Sequence, residues 1–248
     1  IESFVQRINS ALPRPLHLRK IKVYKAMFSY KRRAYALLDQ NNSLKVYGSL
    51  LMPKTSERYL RAFAMECIMC MMTDNFEKLH KLYGEVYTNI VNHKWTPADF
   101  SRIEVAKENS TEYEASLTRG AMPSPGMESA RRAMKYVARG DEIAYFISGS
   151  HPDVKITEAS MLAEEWNPTF PKENTAYYLV RLQELIQRLK DFFNPIAFET
   201  IFSTDTLFGI ELPSPPLVVH RHSFSEENPA PPENDFGIWL AEENPNVP

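Results

Sequence analysis

A run of cationic and aromatic side chains near residue 30 carries the clearest chemical signal in the sequence. Lys31, Arg32 and Arg33 are consecutive, and Tyr35 follows on the same predicted strand. Guanidinium groups form charge-assisted hydrogen bonds with phosphate oxygens, and a tyrosine can hydrogen-bond or stack in a nucleic-acid groove. Alternation along a strand places Arg33 and Tyr35 on one face. The pattern predicts a polyanion-binding strand. An exposed strand whose cations prevent pairing with another chain at the sheet edge is an equally good interpretation.

No combination of residues in this sequence forms a catalytic or metal-binding motif. The sequence contains no P-loop, no H-E-x-x-H and no D-x-D. The acids of the pairs Glu164–Glu165 and Glu226–Glu227 are adjacent, so their side chains point apart. His220 and His222 lie in a proline-rich segment, where a loop is favoured over a metal site. We therefore predict no catalytic residue and no metal ligand in this chain.

The two cysteines, Cys67 and Cys70, have C-x-x-C spacing but no second pair. A structural zinc site needs four ligands, so a lone pair is weak evidence for a metal. Apolar residues and methionines surround both thiols at helical spacing. We predict buried thiols in a reducing compartment.

Charge is distributed unevenly along the chain. Residues 1–60 hold twelve Lys and Arg and three Asp and Glu, a balance of +9, whereas the remainder holds 17 basic and 28 acidic residues, a balance of −11. This asymmetry favours a polyanion-binding surface in the N-terminal part, and a merely uneven charge distribution is the alternative.

Apolar residues make up 44% of the chain, as in ordinary globular proteins. No run approaches the roughly 18 apolar residues of a membrane span, so a membrane partner is not expected. The chain begins at Ile1, which is consistent with a piece of a longer polypeptide.

A small antiparallel sheet must position the cationic run. A helical period over residues 1–12 ends at Pro13, and an extended segment follows from Leu16 to Phe28. The pattern then predicts a strand over residues 28–38, an Asn-rich turn, and a short strand over residues 44–47 that ends at Gly48.

The next part of the chain is predicted to be mostly helical. Helical spacing begins near Thr55 and again at an Asp74 cap, and the two helices should pack as a hairpin. Further predictions are a short helix at Thr96-Pro97, a helix over 128–138 with Gly140 as its cap, a strand over 143–147 and a helix over 175–193. Residues 195–248 hold nine of the eighteen prolines, nine acids and one base, which predicts an irregular acidic tail.

Several short motifs, taken in order, resemble the C-terminal part of family B DNA polymerases. The segment Arg32-Arg33-Ala34-Tyr35-Ala36, followed by Val46-Tyr47-Gly48, is similar to the K-K-R-Y-A … K-G pattern of the family's palm. The helix ending at Pro13 resembles the helix after the catalytic hairpin. Similarity to the thumb follows in three segments: Tyr59-Leu-Arg-Ala-Phe63, Ala130–Lys135 with Arg139–Tyr145 (the G-D-x-I-x-Y pattern), and Tyr177–Phe193.

The resemblance implies an α+β fold with a small antiparallel palm sheet and one helix in residues 1–50, a mostly helical thumb in 51–195 and an irregular acidic tail in 196–248. It implies a part of a DNA-directed DNA polymerase that binds primer–template duplex DNA, in replication or repair. The implied partners are the DNA and a catalytic palm and fingers region or subunit, and the implied location is intracellular, either nucleoid-associated in the cytoplasm or nuclear. The candidate DNA-binding residues are Lys31, Arg32, Arg33, Tyr35, Lys54, Arg131, Arg132 and Lys135.

The chain departs from the family pattern in ways that leave alternatives open. Arg33 and Tyr47 stand where the family commonly has Lys. The aspartates that would hold two Mg²⁺ for nucleotidyl transfer lie before Ile1 or on another polypeptide, so Mg²⁺ is expected only in the complete polymerase. One alternative is a catalytically inactive, polymerase-derived scaffold subunit, and another is a basic DNA-binding module without a polymerase link. The segment 203–208 resembles sliding-clamp peptides but lacks their leading Gln; an apolar anchor on the thumb is favoured over a clamp contact.

Overall fold

The structure is a computed structural model that describes residues 2–11, 22–31, 33–48 and 55–203. By backbone contacts the chain divides into one compact unit, Ile1–Leu217, and a second, Val218–Pro248. The second unit and the predictions made for residues 204–248 lie outside the described residues. The predicted boundaries after residues 50 and 195 stay predictions.

The first sheet follows helix α1 (Glu2–Ala11) and has three antiparallel strands in the order β1 (Ala26–Lys31), β2 (Ala34–Leu38) and β3 (Leu44–Tyr47). The prediction of one continuous strand over residues 28–38 was wrong. Lys31 pairs with Ala34, so the chain reverses between them and Arg33 lies in a turn. The Asn-rich turn is confirmed, because Asp39 Oδ1 accepts the backbone N–H groups of Asn41 and Ser43, both at 2.9 Å.

The inner face of the first sheet is apolar and packs on the helices. Phe28, Ala34 and Ala36 are buried and belong to the same core as the helical residues. The Phe28 ring lies 4.8 Å from that of Phe192. The alternation of buried and half-buried residues along β2 is what a sheet with one packed face requires.

Two helices, α2 (Arg58–Met72) and α3 (Phe76–Val91), pack against each other next to this sheet. Both helices were predicted. The predicted Asp74 cap was displaced by one residue: Asp74 adopts φ 55°, and Asn75 accepts the N–H of Lys78 as the N-cap. The first backbone N–H groups of a helix have no acceptor within the helix. The side chain of the residue just before the first turn, here Asn75, is placed to accept one of them.

A second antiparallel sheet lies between residues 102 and 162. Its order is β4 (Arg102–Val105), β5 (Glu142–Ile147) and β6 (Ser160–Leu162). The sequence predicted only β5. The elements around it are the helices α4 (Pro97–Phe100), α5 (Ser110–Thr118), α6 (Pro125–Arg132) and α7 (Ile156–Ala159).

Helix α6 begins and ends earlier than predicted. Ser124 caps its N-terminus and Pro125 occupies its first turn, where a missing N–H costs nothing. The helix ends at Arg132, and Met134 then adopts φ 52°, which cannot continue a right-handed helix. Gly140, with φ 92°, lies in the turn before β5 and does not cap a helix.

The last helices are α8 (Thr175–Gln187) and α9 (Pro195–Phe202). The predicted helix over 175–193 is shorter than expected, because its last residues form a separate 3-10 turn at Lys190–Phe192. Residues 195–202 were predicted to be irregular and are helical instead. Phe198 and Ile201 are buried in the core, and this packing overrides the proline-rich composition of the segment.

A buried carboxylate joins several of these elements. Glu173 is 3% exposed, and it accepts hydrogen bonds from the indole N–H groups of Trp95 at 2.9 Å and Trp166 at 2.6 Å. His93 Nδ1 lies 2.7 Å from the same carboxylate. Within the described part of the chain, no helix is long and apolar enough to cross a membrane.

Candidate nucleic-acid interface

The outer face of the first sheet carries aromatic and apolar side chains. Cross-strand pairing aligns Ser29, Tyr35 and Tyr47 in one row. It aligns Met27, Leu37 and Lys45 in the next. We call these six residues the outer sheet face.

Tyr35 and Tyr47 stack across β2 and β3. Their ring centroids are 4.8 Å apart and their planes differ by 17°. Tyr47 is 40% exposed, and Met27 in the neighbouring row is 62% exposed. Tyr47 was noted in the sequence only as a departure from a family pattern, and nothing there indicated that it pairs with Tyr35.

Arg33 does not share a strand face with Tyr35, contrary to the prediction from alternation. It lies in the turn that precedes β2, and its side chain is exposed. Gly48 follows β3, has φ 72° and lies close to the Arg33 backbone. A Cβ added to Gly48 would lie 2.2 Å from the Arg33 carbonyl oxygen. The basic turn is therefore held against the end of β3 by a glycine that no other residue can replace without strain.

The first sheet and its flanks have a strong excess of positive charge. Residues 22–48 contain six Lys and Arg and one acid, Asp39, a balance of +5. That acid is already engaged: Lys22 Nζ lies 3.2 Å from Asp39 Oδ2. The N–H of Ser43 first, and then Lys22 and the N–H of Asn41, hold the pKa of Asp39 below its ordinary value. Arg33 and Lys45 are exposed, and neither forms an ion pair with another described residue.

The cations at the end of α6 are differently placed, because each has a protein partner. Arg131 Nη2 lies 2.7 Å from Glu128 Oε2, and Lys135 Nζ lies 2.8 Å from Glu164 Oε2. Arg132 donates to the Thr157 carbonyl at 2.9 Å. Its other terminal nitrogen donates to the carbonyl oxygen of Ser160 at 2.5 Å and to the Ser160 hydroxyl at 2.8 Å. Arg131 and Lys135 thus form ion pairs on the surface. Arg132 binds two backbone carbonyls and the Ser160 hydroxyl, and its Nη1 also lies 3.9 Å from Glu128 Oε2.

Glu128 connects α6 to α5. Tyr113 donates its hydroxyl to Glu128 Oε1 at 3.0 Å, and burial with this carboxylate raises the pKa of Tyr113 to about 12. Burial would raise the pKa of the Glu128 carboxyl, but hydrogen bonds from Arg131 and Tyr113 hold it below its ordinary value. Nearby, Met134 is 93% exposed and Tyr136 is 66% exposed. An open pocket of about 310 Å³ is lined by the rings of Tyr113 and Tyr136 and by the cations Arg131 and Lys135.

The structure places the predicted binding residues in two groups. Arg33 and Tyr35 belong to the first sheet, and Arg131, Arg132 and Lys135 surround the end of α6. Outside the described residues lie Arg32, Lys54 and the side chain of Lys31.

The described residues do not fit the Mg²⁺ that the resemblance implies for a complete polymerase. In the ranges that the structure describes, no three His, Cys, Asp or Glu side chains converge as a metal site requires. Cys67 and Cys70 are buried free thiols, and burial raises the pKa of both. A raised thiol pKa opposes thiolate formation, and therefore metal binding and nucleophilic reactivity.

Comparison with known proteins adds a likeness of fold. Neither a protein-family model nor a curated protein matches the chain. The fold is similar to part of a family B DNA polymerase. The match is to the structure of the enzyme from the hyperthermophilic archaeon Pyrobaculum calidifontis, with a TM-score of 0.56 and 15% sequence identity. It covers 85% of this chain and 25% of that polymerase, so the chain spans about a quarter of its length. At this identity the likeness concerns the fold alone, and it supports a distant structural relationship only.

Proposed function

We propose that this chain binds primer–template duplex DNA as the C-terminal part of a family B-like DNA-directed DNA polymerase. The observation that carries the proposal is the balance of +5 on residues 22–48, in a fold similar to a quarter of a family B DNA polymerase. Such an excess attracts a polyanion through contacts that do not depend on sequence and weaken with salt. In this proposal the chain positions the primer end, and nucleotidyl transfer is performed by carboxylates outside this sequence.

The two groups of cations have different roles in this proposal. Lys31, Arg32, Arg33 and Tyr35 contact the primer strand near its end. Arg33 is exposed and forms no ion pair with another described residue. A phosphate can therefore bind its guanidinium without first displacing a carboxylate. Lys54, Arg131 and Lys135 contact the duplex backbone farther along, where Arg131 and Lys135 exchange carboxylate partners for phosphates.

We assign Arg132, predicted with the second group, a supporting role in it. Its guanidinium already donates to two backbone carbonyls, which a phosphate would have to replace. Its contribution to DNA binding is therefore to hold the end of α6, with Arg131 on it, against α7 and β6.

A polymerase-derived scaffold subunit is the second candidate, and Tyr47 favours it. A tyrosine stacked on Tyr35 replaces the Lys common in the family and removes a phosphate-binding charge. The sequence encoded before Ile1, or by a neighbouring gene, separates the two candidates. Intact metal-binding aspartates there favour the polymerase, and substituted ones favour the scaffold. A sliding clamp as partner rests only on residues 203–208, nearly all outside the described residues.

Fluorescence anisotropy with a labelled duplex that has a recessed 3′ end tests the proposal. The affinity of the purified chain should fall steeply between 50 and 200 mM salt, with a log–log slope of about −0.9 per phosphate contact. Arg33→Ala with Arg131→Ala should make that slope shallower by about 1.8. Lys155→Ala, on an exposed Lys paired with Glu158, is the matched control and should leave the slope unchanged. An unchanged slope in the double variant would remove the proposed contacts.

Primer extension supplies a second test. The purified chain should not extend a primer, because the proposal places the bond-making carboxylates elsewhere. Robust extension by residues 1–248 would overturn this assignment.

A further inference from the structure

We infer that the outer sheet face binds single-stranded DNA by stacking unpaired bases on the Tyr35–Tyr47 pair. Three features carry the inference: the stack of half-buried Tyr35 on exposed Tyr47, the apolar Met27 and Leu37 beside it, and the cations Arg33 and Lys45, which form no ion pair with another described residue. The inference rests on the proposed function only for the choice of DNA as the nucleic acid.

The geometry leaves aromatic surface for a ligand. The two rings lie nearly parallel, so each uses one face for the other. On the β1 side the cross-strand neighbour of Tyr35 is Ser29, a small and exposed residue that places no bulky side chain beside the ring. On the other side Tyr47 lies on the edge strand β3 and is 40% exposed.

The neighbouring row extends this surface. Met27 is 62% exposed and Leu37 is half-buried, at positions where the solvent side of an antiparallel sheet usually carries polar residues. The aromatic side chains Tyr35 and Tyr47 and the apolar side chains Met27 and Leu37 therefore lie in two adjacent rows of the same face. Sheets that bind nucleic acid through aromatic residues on their exposed face have this arrangement.

The charge around the surface selects a polyanion. Arg33 lies at the turn beside Tyr35, and Lys45 is on the same face as Tyr47, two residues earlier on β3. The single acid of residues 22–48, Asp39, is engaged with Lys22. A cationic or neutral apolar partner would leave Arg33 and Lys45 without compensation, whereas phosphates would satisfy both.

The rings distinguish a single strand from a duplex. In a duplex the faces of the bases are occupied by their neighbours, and only groove edges and phosphates are accessible. An unpaired base offers its π-face, and stacking on tyrosine tolerates any sequence because every base has one. The ring pair is therefore suited to unpaired nucleotides, and the cations alone would serve a duplex.

Binding of the full chain to fluorescein-labelled dT12 tests the inference, with a 12-base-pair blunt hairpin as the duplex reference. Tyr35→Val and Tyr47→Val keep strand propensity and should each weaken dT12 binding about tenfold, the loss of one base–aromatic stack. Tyr47→Val should change hairpin binding by less than about twofold, because Tyr47 is not among the residues proposed to contact the duplex. Tyr47→Phe keeps the ring and should keep the affinity. Phe170→Val alters a 71% exposed ring that is not part of this sheet and is the matched control.

Salt dependence and crosslinking give two further readouts. Arg33→Ala or Lys45→Ala should make the dT12 salt slope shallower by about 0.7 each, whereas the Tyr→Val variants should leave it unchanged. Irradiation of dT12 with a central 5-iododeoxyuridine should crosslink Tyr35 or Tyr47, as identified by peptide mass spectrometry. Circular dichroism melts of each variant establish that the sheet is intact.

The outcomes separate the inference from the proposed function. If the wild-type chain binds the hairpin but the Tyr→Val variants bind dT12 as wild type does, the inference fails and the proposed function stands. If the chain binds dT12 in a ring-dependent way and does not bind the hairpin, the proposed function fails. Tighter binding of rU12 than of dT12 would overturn the choice of DNA, and crosslinks confined to other residues would overturn the location.

Discussion

Replacement of Arg132 by Met should reduce the stability of the protein far more than its affinity for DNA. Met retains most of the hydrocarbon stem but removes every donor and the charge, so the change tests the hydrogen bonds together with the longer, 3.9 Å ion pair to Glu128. The guanidinium donates to the carbonyls of Thr157 and Ser160, and Ser160 is fully buried. Hydrogen bonds from a charged donor are each worth about 1.5–3 kcal/mol, and a buried carbonyl left without its donor adds a desolvation cost. Because Arg132 is 39% exposed, solvent replaces part of this loss. We expect the free energy of unfolding to fall by about 2–4 kcal/mol.

The assay is urea denaturation followed by tryptophan fluorescence, with anisotropy of the labelled duplex in parallel. For a chain of this size the loss corresponds to a melting temperature lower by about 5–15 °C. Lys135→Met is the matched comparison, because it makes the same replacement at an exposed ion pair with Glu164. It should cost no more than about 1 kcal/mol of stability but should make the duplex salt slope shallower by about 0.9. Arg132→Met should leave that slope unchanged.

The reverse pattern would give Arg132 the opposite role. If Arg132→Met changed the free energy of unfolding by less than about 0.5 kcal/mol and made the salt slope shallower by about 0.9, Arg132 would be a DNA contact, and its backbone hydrogen bonds would be incidental.

Three further predictions concern the first sheet and the buried carboxylate. Gly48→Ala should destabilise the protein by about 2 kcal/mol more than Gly120→Ala does. Both glycines have positive φ, but only the Cβ added at Gly48 would clash, with the Arg33 carbonyl oxygen. Equal losses of stability for the two variants in chemical denaturation would contradict this close approach. Glu173→Ala should cost about 2–5 kcal/mol, because it leaves two indole N–H groups without their acceptor, and Trp fluorescence should shift with it; a cost under about 1 kcal/mol would mean that other acceptors replace the carboxylate. Asp39 has a lowered pKa in the folded state, so its contribution is present above the ordinary pKa of about 3.9 and is lost as pH falls through the lowered value. The stability gap between wild type and Asp39→Asn should therefore shrink on acidification from pH 6 to 2, and a constant gap in urea midpoints would argue against the carboxylate.

The longer, periodic elements of the fold were predictable from sequence, and the second sheet was not. Helices α2, α3 and α8 have apolar residues at helical spacing, which reports a buried face directly. Strand β4 inverts the usual pattern: Ile103 and Val105 are exposed, while Arg102 and Glu104 point inward. The inward charges are compensated, since Arg102 pairs with Glu57 at 2.8 Å and Glu104 accepts the N–H of Gly126 at 3.1 Å. Those partners lie far away in sequence, so no local pattern could reveal them.

The candidate site was predictable in composition but not in geometry. The excess of cations and the presence of Tyr35 follow from the sequence. The reversal between Lys31 and Ala34 does not, because strand propensity continues through that segment and only the Lys31–Ala34 pairing reveals the turn. The stack of Tyr35 on Tyr47 depends on the cross-strand register, which is set by that turn and by the turn at Asp39.

The contact between Phe28 and Phe192 has a consequence for how the chain matures during synthesis. The two rings are 192 − 28 = 164 residues apart, and they join the first sheet to the turn that follows α8. At a translation rate of about 5–20 residues per second, Phe28 emerges from the ribosome roughly 8–30 s before its partner. Throughout that interval the apolar inner face of the sheet lacks this part of its cover and is open to chaperones and to pairing with other nascent chains. Synonymous codons that slow translation between these residues should therefore lower the yield of soluble protein without changing a single side chain.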